Sequence, residues 1–404
     1  MPRILRILNR LAVGGPVLNA TYLTRYLKPD FETLLVVGEK EAHEKSADFL
    51  AEQMGVEYTT IGGMERAINP ASDYFAYQRL KYLIKRFKPD IVHTHAAKPG
   101  ALGRMAAAAM KVPVIVHTFH GHVFHSYFNS VKTNLFINTE RYLARKSDAI
   151  IAISDQQRRE LVNDFKIAPE NKFRTVRLGL DLDKFRVNQA EKRYQFRQEF
   201  DLKDDDIAIG IIGRLVPIKN HQLFIDGINH VLKSSSKKIK AFIVGDGETR
   251  PDLEKQALDY QISFSTHMTE VDSSSLVFTS WRSDIDSINA GLDIVALTSF
   301  NEGTPVSLIE AQAANKAIVS TRVGGIQDVV VDGKTALLSD PDDTSSFCSN
   351  LLQLVEDDQL RDRLSQNSRH FVMENFSYQR LISDMSGLYY ELLDKKRVYS
   401  HVLV

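Results

Sequence analysis

Two glutamates, Glu302 and Glu310, stand eight residues apart in FNEGTPVSLIEAQAANKAIVSTRVGG, residues 300 to 325, a stretch that is otherwise mostly apolar. On one continuous helix eight residues advance the chain by roughly 800°, about 80° off register, so the two carboxylates would not share a face. A helix that begins between them removes the conflict. Thr304 is suited to capping and Pro305 to the first helical position, where a missing N–H costs nothing. Glu302 then lies in the preceding loop, and Glu310 about one and a half turns inside the helix. The free N–H groups and positive dipole end near Thr304, Pro305 and Val306 make an anion site. A carboxylate in the loop can reach a neutral polyol, and one on the first turns can accept two hydrogen bonds from vicinal ribose hydroxyls. A sugar nucleotide presents those parts in that order.

A diphosphate between the two carboxylates needs cations. GRLVPIKN supplies Arg214 and Lys219 directly after the apolar run 207 to 213, at what would be the same sheet edge. AVGGP places Gly14 and Gly15 after the first apolar run, where backbone can approach a ligand closely. The stretch VIVHTFHGHVFHSYF carries His117, His120, His122 and His125. A metal site is the competing reading of these four, but their spacing fits no standard zinc pattern and no Cys or Asp completes a set. VHTHAAKPG gives His93, His95 and Lys98 at the end of another run; Lys98 is a candidate contact for phosphate or acceptor, or simple surface structure. Asp181 and Asp183 form no metal-binding pair with a diphosphate, because they fall in the connection between domains. VVVDGKT and VGDGETR each lack a glycine that a nucleotide-binding loop requires.

These residues need a frame that brings them to one edge. Short runs rich in Ile and Val alternate with longer helical patterns: 3 to 8, 33 to 38, 90 to 95, 112 to 119 and 148 to 154, then 207 to 215, 240 to 247, 276 to 281, 292 to 299 and 316 to 325. Near-continuous apolar runs are the mark of parallel strands buried on both faces. The alternation makes two βαβ series, hence an α/β chain of two doubly wound, Rossmann-like domains facing each other across a cleft. The expected division is 1–182, 183–376 and a final amphipathic helix within 377–404.

The chain has 404 residues, 43% hydrophobic and 25% charged, with 51 basic residues against 51 acidic ones. Neutrality gives no reason to expect a nucleic-acid partner. Cys348 is the only cysteine and reads as a buried residue on an amphipathic helix, in a reducing compartment. With no signal-peptide pattern and no run of eighteen apolar residues, the expected location is cytoplasmic. The segment 74–88 carries Arg79, Lys81, Lys85, Arg86 and Lys88 beside an apolar face of Tyr77, Leu80, Leu83, Ile84 and Phe87. It reads either as a packed helix with a solvated face or as a peripheral contact with the inner face of the membrane.

Taken together, the motifs resemble those of retaining glycosyltransferases of family 4, which have the GT-B fold. The E-x7-E element, the G-R-x-x-x-x-K element (Gly213, Arg214, Lys219), the Gly-Gly loop and the final helix occur in the family's order across nearly the whole chain. The resemblance implies that Arg214 and Lys219 stabilise the leaving diphosphate. It implies that Glu310 holds the ribose, and that Glu302 with the following backbone, from Gly303 to Val306, holds the donor hexose. His120 in TFHG corresponds to an acceptor-side histidine near the reacting centre, with His122 as a further acceptor-side candidate. FTSWRSDI resembles the base-reading segment, which nominates Trp281 and Arg282, although 259–274 just upstream is longer and more polar than the family's. The implied activity is transfer of a sugar from a nucleoside-diphosphate sugar, a UDP-sugar, to a sugar acceptor, one linked to lipid, with retention, no metal and no cofactor, in polysaccharide or glycan assembly. Two alternatives share these residues: a GT-B sugar-nucleotide epimerase, and a non-catalytic protein that binds a sugar nucleotide.

Overall fold

The computed structural model describes residues 1–11, 15–39, 48–65, 69–121, 130–266 and 274–402. The chain divides into two compact units, Met1–Leu180 with Phe376–Val404, and Asp181–Asn375.

The first unit is built on a seven-stranded parallel sheet. Its strands are β1 (Arg3–Leu8), β2 (Glu32–Gly38), β3 (Tyr58–Ile61), β4 (Ile91–His95), β5 (Val114–Phe119), β6 (Ala149–Ala152) and β7 (Phe173–Thr175), in the spatial order β3-β2-β1-β4-β5-β6-β7. β1 pairs with β4 in a register that sets Arg6 opposite His93. Strand order therefore reverses between β1 and β4, the place where open parallel sheets bind ligands at their carboxyl ends. The final helix, Tyr378–Val402, belongs to this unit: Leu381, Met385, Leu388, Tyr389 and Leu392 pack with Ile4, Ile91, Val114 and Val116 in one buried cluster.

The second unit repeats the plan with β8 (Ile207–Ile212), β9 (Ile239–Val244), β10 (Phe264–Ser265), β11 (Leu276–Ser280), β12 (Ile294–Leu297), β13 (Ala317–Thr321) and β14 (Leu337–Ser339), all parallel, in the order β10-β11-β9-β8-β12-β13-β14. Its reversal lies between β8 and β12. Ile209, Ile211, Ile243 and Ala296 from the strands join Phe224, Ile228, Phe347 and Leu351 from helices in a buried core. Cys348 is buried on the helix Thr344–Glu356. Among the described residues no helix is long and apolar enough to cross a membrane.

Candidate active site

In the second unit, the chain leaving β8 and the chain leaving β12 meet at the strand-order reversal. Gly213 and Arg214 follow β8, and a 3-10 turn, Pro217–Lys219, carries the lysine. Lys219 Nζ lies 2.5 Å from Glu302 Oε1, and Ser299 Oγ donates to the same oxygen at 2.6 Å. The backbone fixes both partners: Phe300 N donates to Ile218 O at 2.9 Å, Thr298 Oγ1 to Lys219 O at 3.1 Å, and Thr321 Oγ1 to Ser299 O at 2.7 Å. Arg214 is exposed and makes no side-chain hydrogen bond or ion pair among the described residues. One cation is thus matched to a carboxylate while its neighbour is left for an anion.

The helix after Glu302 runs Val306–Ala313, with Pro305 in the capping position and no side-chain cap. The structure corrects the expected start here by one residue: Pro305 precedes the helix instead of opening it, and Thr304 does not cap it. Because Leu308 N and Ile309 N are the amides that bond to Pro305 O, the amides of Val306 and Ser307 stand at the positive end of the helix, before the intrahelical ladder. Glu310 lies on this helix, partly exposed. Its carboxyl is raised to about 7, first by desolvation and further by Asp286, with Lys184 opposing.

Glycines that carried no motif hold the two loops in place. A Cβ on Gly325 would stand 1.6 Å from Gly303 O, and one on Gly324, whose φ is +48°, 2.1 Å from Glu302 O. Gly325 N also donates to Glu302 O at 2.9 Å. Gly245, at φ +140°, would place a Cβ 1.9 Å from Gly213 O, and Gly247 2.2 Å from Leu215 O. The VGDG segment, unsuited to a nucleotide loop by itself, is the seat of the Arg214 loop. Gly213 differs from these four, since a Cβ there would meet nothing within 4 Å. Its lack of a side chain answers no internal contact.

The base-reading candidates divide. Trp281 follows β11 and is 44% exposed. Arg282, in contrast, is clasped by Asp284 at 2.6 Å and Glu199 at 2.5 Å. Those hydrogen bonds hold the guanidinium above its ordinary range and the Asp284 carboxyl below its own. Its side chain ties the chain after β11 to the helix Gln189–Glu199, so its charge is already matched.

In the first unit the carboxyl ends of β1, β4 and β5 gather a buried polar cluster. β4 reads IVHTH and is buried throughout, so its histidines require partners. His93 Nε2 lies 2.7 Å from Thr118 Oγ1, His95 Nδ1 2.8 Å from His120 Nε2, and His117 Nδ1 2.8 Å from Thr94 Oγ1. Burial pulls all four imidazoles below their ordinary pKa, with His120 at about 3. They are neutral at physiological pH. Gly15 opens the helix Gly15–Tyr26 after β1, and a Cβ on it would make only ordinary contact, 3.6 Å from Leu178. Lys98 pairs with Asp73 at 2.5 Å, tying the helix Ala97–Ala109 to the helix Pro70–Phe87. Gly14, His122 and His125 lie outside the described residues. Arg6 and Tyr389, which hydrogen-bond into the histidine cluster, carried no signal in the sequence, because their role depends on strand register and on the return of the last helix.

Two family models match the chain in succession: Glycosyltransferase Family 4 over residues 13–184 and Glycosyl transferases group 1 over 192–371. Among curated proteins, the chain is 28% identical over 334 residues to the UDP-Gal:alpha-D-GlcNAc-diphosphoundecaprenol alpha-1,3-galactosyltransferase of Escherichia coli, covering 82% of this chain and 83% of that protein. It is 24% identical over 332 residues to the capsular polysaccharide biosynthesis glycosyltransferase CapM of Staphylococcus aureus, covering 81% and 83%. Among solved structures, Anabaena HepE in complex with UDP superposes with a TM-score of 0.79 at 17% identity, covering 96% of this chain and 100% of that one. Sucrose-phosphate synthase from Thermosynechococcus elongatus gives 0.78 at 16%, covering 98% and 100%. The two sheets and these neighbours make the fold GT-B. With a family model matching each half, the chain belongs to the group 1, family 4 glycosyltransferases.

Proposed function

We propose that this protein is a retaining, metal-independent hexosyltransferase that moves a sugar from a UDP-sugar to a lipid-linked sugar acceptor in polysaccharide or glycan assembly. The observation that carries the reading is at the β8/β12 reversal. Unpaired Arg214, the Lys219–Glu302 pair and the amide end of the helix Val306–Ala313 converge there, with Glu310 farther along that helix. A diphosphate competes for Lys219 and binds Arg214 and the first-turn amides. Glu302, relieved of the ammonium, accepts from hexose hydroxyls, and Glu310 accepts from the ribose diol. Gly213 leaves room for close approach, and Trp281 offers a ring to the base.

As the bond between the anomeric carbon and the diphosphate breaks, charge grows on the leaving oxygen, where Arg214, Lys219 and the helix amides offset it. The acceptor oxygen attacks from the face the diphosphate leaves, and its proton passes to the departing phosphate oxygen. Two cations and a helix end supply the countercharge that a divalent ion would otherwise bring, which supports the metal-independent reading. The E. coli relative, a UDP-Gal:alpha-D-GlcNAc-diphosphoundecaprenol alpha-1,3-galactosyltransferase, supports both the UDP donor and the lipid-linked acceptor.

Contact with a membrane bearing that acceptor is proposed on the helix Pro70–Phe87, but on a different face from the one its sequence pattern nominated. Leu80 and Ile84 are buried, and Tyr77, Leu83 and Phe87 pack against the same core. The outer face instead carries Phe75, 72% exposed, with Arg79, Tyr82 and Arg86. The two guanidinium groups lie over the Tyr82 ring at 5.2 and 5.9 Å. An aromatic and basic face of this kind suits the inner surface of an anionic membrane.

A thermal-shift screen of UDP-, GDP- and ADP-sugars with EDTA present tests the donor assignment, since a ligand that binds only the folded state raises Tm. UDP-sugars are expected to raise it and Arg214→Ala to abolish the shift; a response to none of the three would contradict the reading.

A further inference from the structure

Arg6, His93, His95, Thr118, His120 and Tyr389 form one hydrogen-bonded chain whose direction is set from the Arg6 end. Arg6 is fully buried on β1, and a guanidinium can only donate. Its Nη1 lies 3.0 Å from His93 Nδ1 and 3.4 Å from His95 Nε2, and its Nη2 lies 3.4 Å from Tyr389 OH. Each imidazole nitrogen facing Arg6 is therefore the accepting, unprotonated one. His93 keeps its proton on Nε2 and donates it to Thr118 Oγ1, while the Tyr389 hydroxyl receives from Arg6 and shares with it the single lone pair of His93 Nδ1, at 2.6 Å.

The second branch runs through His95 to His120. With Nε2 accepting from Arg6, His95 carries its proton on Nδ1 and donates it to His120 Nε2 at 2.8 Å. His120 Nε2 is then an acceptor, which leaves the proton of a neutral imidazole on Nδ1. That nitrogen is buried and has no hydrogen-bond partner among the described residues. Desolvation keeps His93, His95 and His120 neutral, the condition under which a single tautomer can be imposed. Arg6 meets no carboxylate among the described residues, so its buried charge is an expensive way to stabilise a fold.

We propose that Arg6 and His95 are positioning residues that lock His120 in its Nδ1–H form, so that it presents an N–H donor to an oxygen of the sugar substrate. The consequence is specific: through that nitrogen His120 binds a sugar oxygen and cannot act as a general base. The sugar contact rests on the reading of His120 given above, whereas the tautomer does not.

Long-range proton–nitrogen NMR of the full chain labelled with 15N-histidine reads the two ring nitrogens separately, and loss of one signal set in His120→Gln assigns them. Wild type is expected to show His120 protonated at Nδ1 and bare at Nε2. His95→Leu and Arg6→Met should give a mixture or the Nε2–H form, and His95→Asn, whose amide N–H can replace the lost donor, should restore Nδ1–H. An Nε2–H signal in wild type, or Nδ1–H unchanged in His95→Leu, overturns the lock; the wild-type spectrum needs no variant to fold. Turnover should follow the tautomer, falling on the order of 10- to 100-fold in His95→Leu, with most of the loss in kcat, and recovering in His95→Asn. If the tautomer shifts as described while turnover does not, the sugar contact of His120 is wrong and the lock stands.

Discussion

If Glu310 accepts from the ribose diol as proposed, donor binding becomes a titration of its carboxyl. Desolvation raises its carboxyl to about 7 from the ordinary 4.5, a difference of about 3 kcal/mol at 1.36 per unit. Because the residue keeps part of its surface in water, solvent screening reduces this to about 1.5 to 3 kcal/mol. A ribose diol that donates two hydrogen bonds requires the ionised carboxylate, so binding lowers this pKa and expels a proton whenever the free group is protonated. Affinity for UDP-glucose should therefore strengthen about twentyfold between roughly pH 5.5 and 7.5 and level off above that range. A sugar nucleotide is the better probe than UDP, because its phosphates do not titrate in this window. Isothermal calorimetry in buffers of different ionisation enthalpy counts the proton directly, with near one released at pH 6 and little at pH 8. Glu310→Gln should bind more weakly with a flat profile. The free protein should respond in the opposite sense: the folded state holds a proton that the unfolded chain loses above about 4.5, so this contribution to stability is complete below that pH and disappears as pH rises through about 7. Affinity independent of pH, or the same slope in Glu310→Gln, would refute the assignment of this carboxylate to the ribose.

Other perturbations separate support from contact. Gly325→Ala, driving a Cβ to 1.6 Å from Gly303 O, should lower stability by roughly 1–3 kcal/mol and reduce turnover through the displaced Glu302 loop, as read by denaturant unfolding and initial rates. Gly213→Ala meets no protein atom, so it should unfold like wild type yet bind UDP-sugar more weakly; unchanged affinity would show that the ligand does not approach there. Phe75→Ser with Arg79→Glu should reduce sedimentation with anionic vesicles about fivefold or more, on the scale of about 1 kcal/mol per basic residue near such a surface, without moving the rate on a water-soluble acceptor.

Where burial on both faces dictates composition, the sequence is explicit. RILRIL, IAIGII and LVFTS became β1, β8 and β11 at nearly the positions their apolar runs mark. The four strands that the pattern omits, Tyr58–Ile61, Phe173–Thr175, Phe264–Ser265 and Leu337–Ser339, are the outermost of the two sheets. An edge strand pairs on one side only and is kept short, so no long apolar run records it. The site was legible in part for the same kind of reason. Glu302, Glu310, Arg214 and Lys219 sit at fixed distances from strand ends, and a sequence preserves such distances. Contacts that arise from register or chain return left no local mark: Arg6 beside His93, Tyr389 above it, and Gly324 and Gly325 against the Glu302 loop. Lys98 is nominated by its place after a strand and Arg282 by the likeness of FTSWRSDI to a base-reading segment, and neither signal reveals that Asp73, Glu199 and Asp284 already stand beside them in the fold.

The most direct test of retaining, metal-independent sugar transfer follows one product by NMR. The full chain is incubated with UDP-sugar, a lipid-linked sugar acceptor and EDTA, and the anomeric configuration of the new linkage is compared with that of the donor. The account predicts a transferred sugar with the donor's configuration, slowed by roughly 10² or more in Arg214→Ala. An inverted linkage, dependence on a divalent ion, or an isomerised sugar released without acceptor would contradict it.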